Sequence, residues 1–499
     1  MKGRALLNAC LLIIVATISV YSTNYTVTKT ADTNDGTCDA DCSLREAVAA
    51  AVADPADDVI GFDGGVFSTP QLITLSGTDI QITSNGTLSI LGPGANLLTI
   101  SGNGASRIIT NSALAVTAIT GFTFTAGNGA STVSTGRAGA IYNDGGTLTI
   151  ENSVVTGNTA TNGGGLNNAN GGALTIINSV VSGNTALTSS GGGMQNFSSG
   201  TLVIDRCLFI GNTSNSTTGG GGAQLNGIAR ISNSTFTGNT AASGGDGGGI
   251  SSNGSELMLT NVTFSENTAE DQGGGFIRRT TNTNMLVRNS IFSGNTATTD
   301  PDVATNASLT SLGNNIVGNA GASMGWIGSD MLSTDPMLGP LADNGGFSMT
   351  YLPMTGSPAI DNGQNCVVDL SCAASNPPVA VTADQRGIAR PMGGTVDIGA
   401  VETLGAASVR GRVYYDKSRF AAGVTLSISD KGGVIGTART NVFGYFQFSD
   451  IPPGATYTIN TASKEAIFDP VMVDVNGDVN NLVIVATPMM LRDRSDLKQ

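Results

Sequence analysis

The stretch "NSVVSGNTA", residues 178–186, returns as "NSIFSGNTA" at 289–297, with Asn, Ser, Gly and Thr kept and only apolar letters exchanged. A catalytic loop is written once, so a nonapeptide rewritten along a chain speaks for scaffolding. Copies begin at Asn152, Asn178, Arg206, Asn233, Asn261 and Asn289, at intervals of 26, 28, 27, 28 and 28 residues. A nearly constant period of this size marks a solenoid.

The columns around each copy select the kind of solenoid. Two residues before each start stand Ile150, Ile176, Ile204, Ile231, Leu259 and Val287, and four before stand Leu148, Leu174, Leu202, Ala229, Leu257 and Met285. Alternation of period two predicts a strand with one buried face. Three residues after each start come Val155, Val181, Phe209, Phe236, Phe264 and Phe292. The inward parity therefore shifts by one across the start, which requires a bend there. Asn fills that bend in five of six copies, and Asn tolerates the left-handed conformation of such a corner.

A second corner follows at the unbroken column Asn158, Asn184, Asn212, Asn239, Asn267 and Asn295. A Gly-rich column then precedes a third segment that opens with Leu166, Met194, Ala223, Ile250 or Phe276. Three strands and three corners per turn predict a parallel β-helix, each coil resting on the last at about 4.8 Å. Identical positions then lie above one another, so the apolar columns become the core and the Asn column a ladder of side-chain amides. Helical and leucine-rich solenoids compete for such periods, but Gly weakens a helix by about 1 kcal/mol per residue. Length varies mainly between "GNTA" and "GGG", so one corner carries the loops. Degenerate coils extend upstream through 86–110 and 114–128, for some ten coils and a rod of about 50 Å.

Composition agrees. The chain has 499 residues, 40% apolar, 12% charged and 69 Gly, as expected for many strands joined by tight turns. A net charge of −14 without a basic cluster excludes a nucleic-acid partner. The absence of His removes Ser-His-Asp and Cys-His nucleophile systems and His-based zinc sites. Lys2 and Arg4 before the apolar run 5–20 read as an export signal cut near Ser22, too short for a membrane span, so no span is expected after cleavage. In an oxidising compartment Cys38 with Cys42, and Cys366 with Cys372, are near enough in sequence to close small loops, leaving Cys207 over. The spacing does not prove these pairings.

At the N-terminal end, "CSLREAVAAAVADP" (42–55) predicts a short capping helix. Ser43 and Glu46 form a capping box, Leu44, Ala47, Val48, Ala51 and Val52 share a face, and Pro55 ends it. "CSLREAV" resembles the motif of the CSLREA domain of bacterial exported proteins, and the nonapeptide resembles the polymorphic outer membrane protein repeat. Residues 335–363, with "SPAID", followed by "DQRGIARPMGGTVDIGAVE" (384–402), resemble the choice-of-anchor Q domain, with Tyr351 standing where that family leads one to expect His. The resemblance implies a right-handed parallel β-helix, a pectin-lyase-like solenoid, on a bacterial surface, and implies no reaction. Beyond "LGAAS", period-two alternation with regular turns predicts a β-sandwich. Its "NVFGYFQFSDIPPGATYTI" run (441–459) is similar to the carboxypeptidase regulatory-like domain, a non-catalytic accessory fold.

The expected organisation is an all-β chain. A signal peptide spans 1–22 and a β-helix 23–404, with its cap at 38–55, repeats over about 120–300 and the anchor-Q-like segment at 333–404. A linker at 405–408, a sandwich at 409–490 and a tail at 491–499 follow. Carboxylate chemistry is the one enzymatic class left open. Glu151 and Asp205 share the column before the bend, with Ile177, Ser232, Thr260 and Arg288, and two coils separate them by about 10 Å, near the 5–9.5 Å of glycosidase pairs. Glu266, Glu270, Asp271, Arg278 and Arg279 form the densest charge, read as a solvated corner. Asp144, Asp246, Glu256, Arg137 and Arg230 complete the charges on the coils. "DTNDGTCDADC" (32–42) and "DVNGDVN" (474–480) miss calcium-loop spacing and read as turns with solvent-facing Asp. Cys207 reads as a buried inert thiol and Trp326 as cap packing. The sequence thus nominates no catalytic, cofactor or metal residue. It points to a secreted or cell-surface, adhesin-like or glycan-contacting rod with glycans or surface proteins as partners; the alternative is a polysaccharide lyase or glycoside hydrolase.

Overall fold

A computed structural model describes residues 23–487 apart from 84–85, 281–283, 404–406, 417, 453–454 and 476. The expected signal peptide, the tail, half of the linker and the Pro-Gly turn of the sandwich lie outside the described residues.

Three parallel sheets run the length of the solenoid. The first has eleven strands, from Thr23–Val27 to Thr310–Gly313; the second has eleven, from Gln71–Thr74 to Met331–Leu332; the third has nine, from Ile80–Ile82 to Val303–Thr305. Register joins like to like: Ile150 pairs with Ile176, Ile176 with Ile204 and Ile204 with Ile231 in the first sheet, and Val155, Val181, Phe209, Phe236, Phe264 and Phe292 follow one another in the second. These residues are buried in one continuous core. The rings of Phe209, Phe236, Phe264 and Phe292 stack with centroids 4.7, 5.1 and 4.9 Å apart. Trp326 closes that file, its ring edge-on to Phe292 at 6.3 Å and its Nε1 donating to Ser323 Oγ.

The corners carry the stack as expected. Asn152, Asn178, Arg206, Asn233, Asn261 and Asn289 all have φ between 45° and 56°. At the second corner each buried amide Nδ2 donates to the Oδ1 of the next coil: Asn158 to Asn184, Asn184 to Asn212, Asn212 to Asn239, Asn239 to Asn267 and Asn267 to Asn295, at 2.8–3.0 Å. Asp302 ends the ladder, its Oδ1 accepting from the Nδ2 and backbone N–H of Asn295 while Oδ2 accepts from Asn319 N–H. An acceptor-only group suits a ladder's last rung, where nothing remains to receive a bond. At the Gly-rich column, Gly220 has φ +73° and a Cβ there would meet the Ala223 carbonyl oxygen at 2.6 Å, so no side chain fits.

The number of strands per coil needs one correction. After the first five of the six Asn rungs, Thr159–Ala160, Thr185–Ala186, Thr213–Ser214, Thr240–Ala241 and Thr268–Ala269 form a small fourth sheet. Two residues are too few to show a period, which is why the alternation pointed to three strands. The capping helix, Leu44–Ala53, has the expected box: Ser43 Oγ accepts from Glu46 N–H and Glu46 Oε2 from Ser43 N–H at 2.7 Å. Leu44, Ala47, Val48 and Ala51 bury themselves on the first coil.

The anchor-Q-like segment departs from expectation, because the coils end at Met331–Leu332. Leu338–Ala342 and Thr350–Pro353 form an antiparallel hairpin, and loops return along the flank of coils laid down earlier. Gln385 accepts from Thr235 Oγ1 at 2.6 Å, Tyr351 Oη meets Thr237 Oγ1 at 2.7 Å, and the Asp397 carbonyl accepts from Asn261 Nδ2 at 2.9 Å. Thr235 and Thr237 on the outer face of the second sheet and Asn261 at the first corner supply these bonds, so 333–403 is a clasp over the rod and not further rungs of it.

From Ala407 a separate core forms between two four-stranded sheets. One holds Ala407–Asp416, Arg419–Phe420, Tyr445–Ile451 and Val479–Val485; the other holds Thr425–Asp430, Gly433–Arg439, Ala455–Ala462 and Val471–Val475. All pairings are antiparallel save that of Val479–Val485 with Ala407–Asp416.

Candidate functional site

The last residue of each first-sheet strand precedes the left-handed corner, and Glu151, Ile177, Asp205, Ser232, Thr260 and Arg288 stand in register there. Two coils separate Glu151 from Asp205, about 9.6 Å. Asp205 is engaged: its Oδ1 accepts from Ser232 Oγ at 2.7 Å and Asn233 Nδ2 at 3.0 Å, and its Oδ2 from Arg206 Nε at 3.1 Å. Residues 379–383 of the clasp pass over this corner and leave a cavity of about 270 Å³ against Asp205, Arg206, Ser232 and Asn233. Asn233 Oδ1 is buried there without a partner among the described residues. The cavity presents acceptors, a hydroxyl and one guanidinium, which suits hydrogen bonding to hydroxyls. In this column the other carboxyl group is that of Glu151, at the far limit of the range acid and base pairs use.

Farther along the same file the clasp closes the corner. Arg288 donates to the carbonyls of Ala374 and Ser375 and to Cys372 Sγ, and Asn289 Oδ1 accepts from Gln364 N–H at 3.0 Å. The clasp is held by its own charges. Buried Arg390 donates to Glu402 Oε2 at 2.7 Å and to the Asp397 and Gly399 carbonyls. Arg386 grips Asp384, whose oxygens also accept from the backbone of Ile388 and Glu402. Asp397 accepts from Asp361 N–H and from Thr403. Burial pushes the Glu402 carboxyl up to about 7, against the pull of Arg390. The "SPAID", "DQRG" and "DIGAVE" segments thus supply carboxylates that satisfy backbone N–H groups of the clasp loops that follow its hairpin.

Residues 104–297 match a family model described as right handed beta helix region. The parallel β-helix is accordingly right-handed. No curated protein matches the chain. Among solved structures, the crystal structure of pectate lyase Pel9A is similar at 15% identity, over 77% of this chain and 97% of that one, with a TM-score of 0.37.

The charged corner group does not act as one cluster. Arg279 pairs with Asp246 and Arg278 donates to the Ala307 carbonyl, while Glu270 Oε2 accepts from Gly244 N–H. Glu266 lies beside Tyr351, whose hydroxyl burial pushes up to about 12. Arg230 pairs with Glu256 at 2.6 Å, Tyr142 donates to Asp144, and Arg137 lies over the rings of Tyr142 and Phe197. Asp32, expected to face solvent, is a correction: its side chain is 3% exposed and holds Arg45 and Ser76, tying the cap helix to the first coils. Asp478 accepts from Ser408, and Asp474 from Thr456. Cys38–Cys42 and Cys366–Cys372 form disulfides and Cys207 is free and buried.

Two features escaped the sequence reading. A second amide file, Asn111 to Asn143 to Asn168 to Asn196, runs up the third sheet at 2.7–2.8 Å. Arg107 is wholly buried, its guanidinium bonded to the carbonyls of Arg137, Val133 and Ser134 and lying 4.9 Å from the Tyr142 ring centroid. Burial lowers it to about 10, with Asp79 opposing.

Proposed function

We propose that the protein is a non-catalytic, secreted or cell-surface β-helical rod that contacts glycans in an adhesin-like role. The observation that carries this reading is the state of Asp205: the carboxylate best placed along the coils for acid and base work already accepts three bonds that fix its own corner. The disulfides support an oxidising compartment, and the export-signal pattern of residues 1–22 supports secretion.

The test is incubation of the full chain with acidic polysaccharides, following unsaturated products by ultraviolet absorbance and new reducing ends, beside a retention assay. Retention without products is the expected result. Turnover that disappears in Glu151→Gln or Asp205→Asn would establish a lyase or hydrolase in its place.

A further inference from the structure

The strand Ala407–Asp416 turns Val409 and Val413 into the sandwich core and Arg410, Arg412 and Tyr414 to the opposite face. Arg412 stands across from Tyr445, and Arg410 across from Gln447. The Arg412 guanidinium carbon is 3.6 Å from the Tyr445 ring centroid and 5.2 Å from that of Phe420. Both rings remain open to solvent, at 47% and 38% exposure. Asn480, Asn481 and Tyr414 complete a cavity of about 400 Å³ over this face.

Arg412 is held by ring stacking and Arg410, added to the bonds from Ser408, draws down the Asp478 carboxyl from beyond ion-pair distance, so neither cation has a paired carboxylate. No carboxylate among the described residues lies within ion-pairing distance of Arg410 or Arg412, and Arg412 Nε is buried without an acceptor. Stacking occupies the face of a guanidinium and leaves in-plane N–H groups for a carboxylate, here the Nη pair of Arg412, since its Nε is buried. Exposed aromatic rings beside it offer flat apolar surface, and the Asn amides offer hydroxyl partners. Arg410 and Arg412, two residues apart on one strand, stand about 6.7 Å from each other, so a chain bearing repeated anions engages both. Residues 409–487 carry seven basic and seven acidic side chains, so this region is neutral in a protein of net charge −14 and repels a polyanion least.

We propose that this face binds a carboxylate-bearing polysaccharide, a uronate-containing chain, with Arg412 and Arg410 taking carboxylates, the Tyr445 and Phe420 rings lying against the sugars, and Asn480 and Asn481 bonding hydroxyls. This deepens the glycan-contacting reading above by naming a ligand class and a place.

The experiment is affinity electrophoresis of the full chain through polygalacturonate and alginate, with fully methyl-esterified pectin and dextran sulfate as comparison polymers. Retention by the two uronates, at least tenfold weaker on the ester and lost with added salt, supports the proposal. Arg412→Gln and Tyr445→Ala each weaken it about tenfold or more, and the exposed Arg410→Gln severalfold, with thermal unfolding unchanged for Arg410→Gln. Equal retention by dextran sulfate, by the ester, or by Arg410→Gln and Arg412→Gln together would overturn it. Loss in Asp205→Asn with Arg412→Gln unaffected would move glycan contact to the rod, whereas absence of retention by either uronate overturns the proposal and leaves the rod to the turnover assay.

Discussion

Phe236 lies parallel to Phe264, ring centroids 5.1 Å apart and planes within 14°, although 28 residues of chain separate them. The same positions recur as Phe209 and Phe292, so four rings form one internal column. Phe264 is fully buried within it. Phe264→Ala should lower stability by about 3–5 kcal/mol, read from a denaturant midpoint, with Phe264→Leu losing clearly less. Equal, small losses would mean that the column does not pack.

The Asn ladder makes a different prediction, because its members give and receive. Asn239 Oδ1 accepts from the backbone and Nδ2 of Asn212, and its own Nδ2 donates to Asn267 Oδ1 and the Phe209 carbonyl. Asn239→Ala leaves two buried donors of Asn212 without an acceptor, at about 1–3 kcal/mol each. Unfolding of this variant beside the control Asn284→Ala, at an exposed strand position with ordinary backbone, should show a loss of several kcal/mol against almost none.

Acid should loosen the N-terminal cap. Burial would raise the Glu46 carboxyl, but N–H bonds from Ser43 and Asp35 and the Lys29 ammonium outweigh it and hold the group at about 2, below its ordinary 4.5. A carboxyl depressed on folding stabilises above its unfolded pKa and loses that contribution as pH falls through the folded value. The stability difference between the native chain and Glu46→Gln should therefore be full at neutral pH and shrink from about 4.5 down to about 2. A difference independent of pH would contradict the capping arrangement.

Cys207 should be chemically silent in the folded protein. Burial pushes its thiol up to about 12, and its Sγ lies against the carbonyls of Ile176 and Asp205. Thiolate is the reactive form. Iodoacetamide should leave the Cys207 peptide unmodified in native protein and alkylate it after unfolding, as mass spectrometry of the digest would show.

Legibility in the sequence followed repetition. The Phe column and the Asn158-to-Asn295 ladder could be read because every coil repeats them at constant spacing. The Asn111-to-Asn196 file could not, since variable loops precede it and the next two coils place Leu225 and Ser252 in its register. The clasp was harder still. It has no period, and Thr235 meets Gln385 across 150 residues, a contact that only shape decides. Its place does explain Tyr351, whose hydroxyl reaches Thr237 from the hairpin. The aromatic and arginine face of the sandwich was hidden because Phe420 and Tyr445 reach Arg412 from separate strands.

Coil-on-coil register is the claim on which the rest depends, and paired cysteines read it directly. Thr149 and Thr175 are register partners on the outward side of adjacent first-sheet strands, and Val203 occupies the next coil. Neighbouring strands stand about 4.8 Å apart, within the Cα separation a disulfide spans. Thr149→Cys with Thr175→Cys should oxidise to an internal crosslink, whereas Thr149→Cys with Val203→Cys, two coils apart, should stay reduced. Crosslinking in the second pair and not in the first would contradict the stacked solenoid.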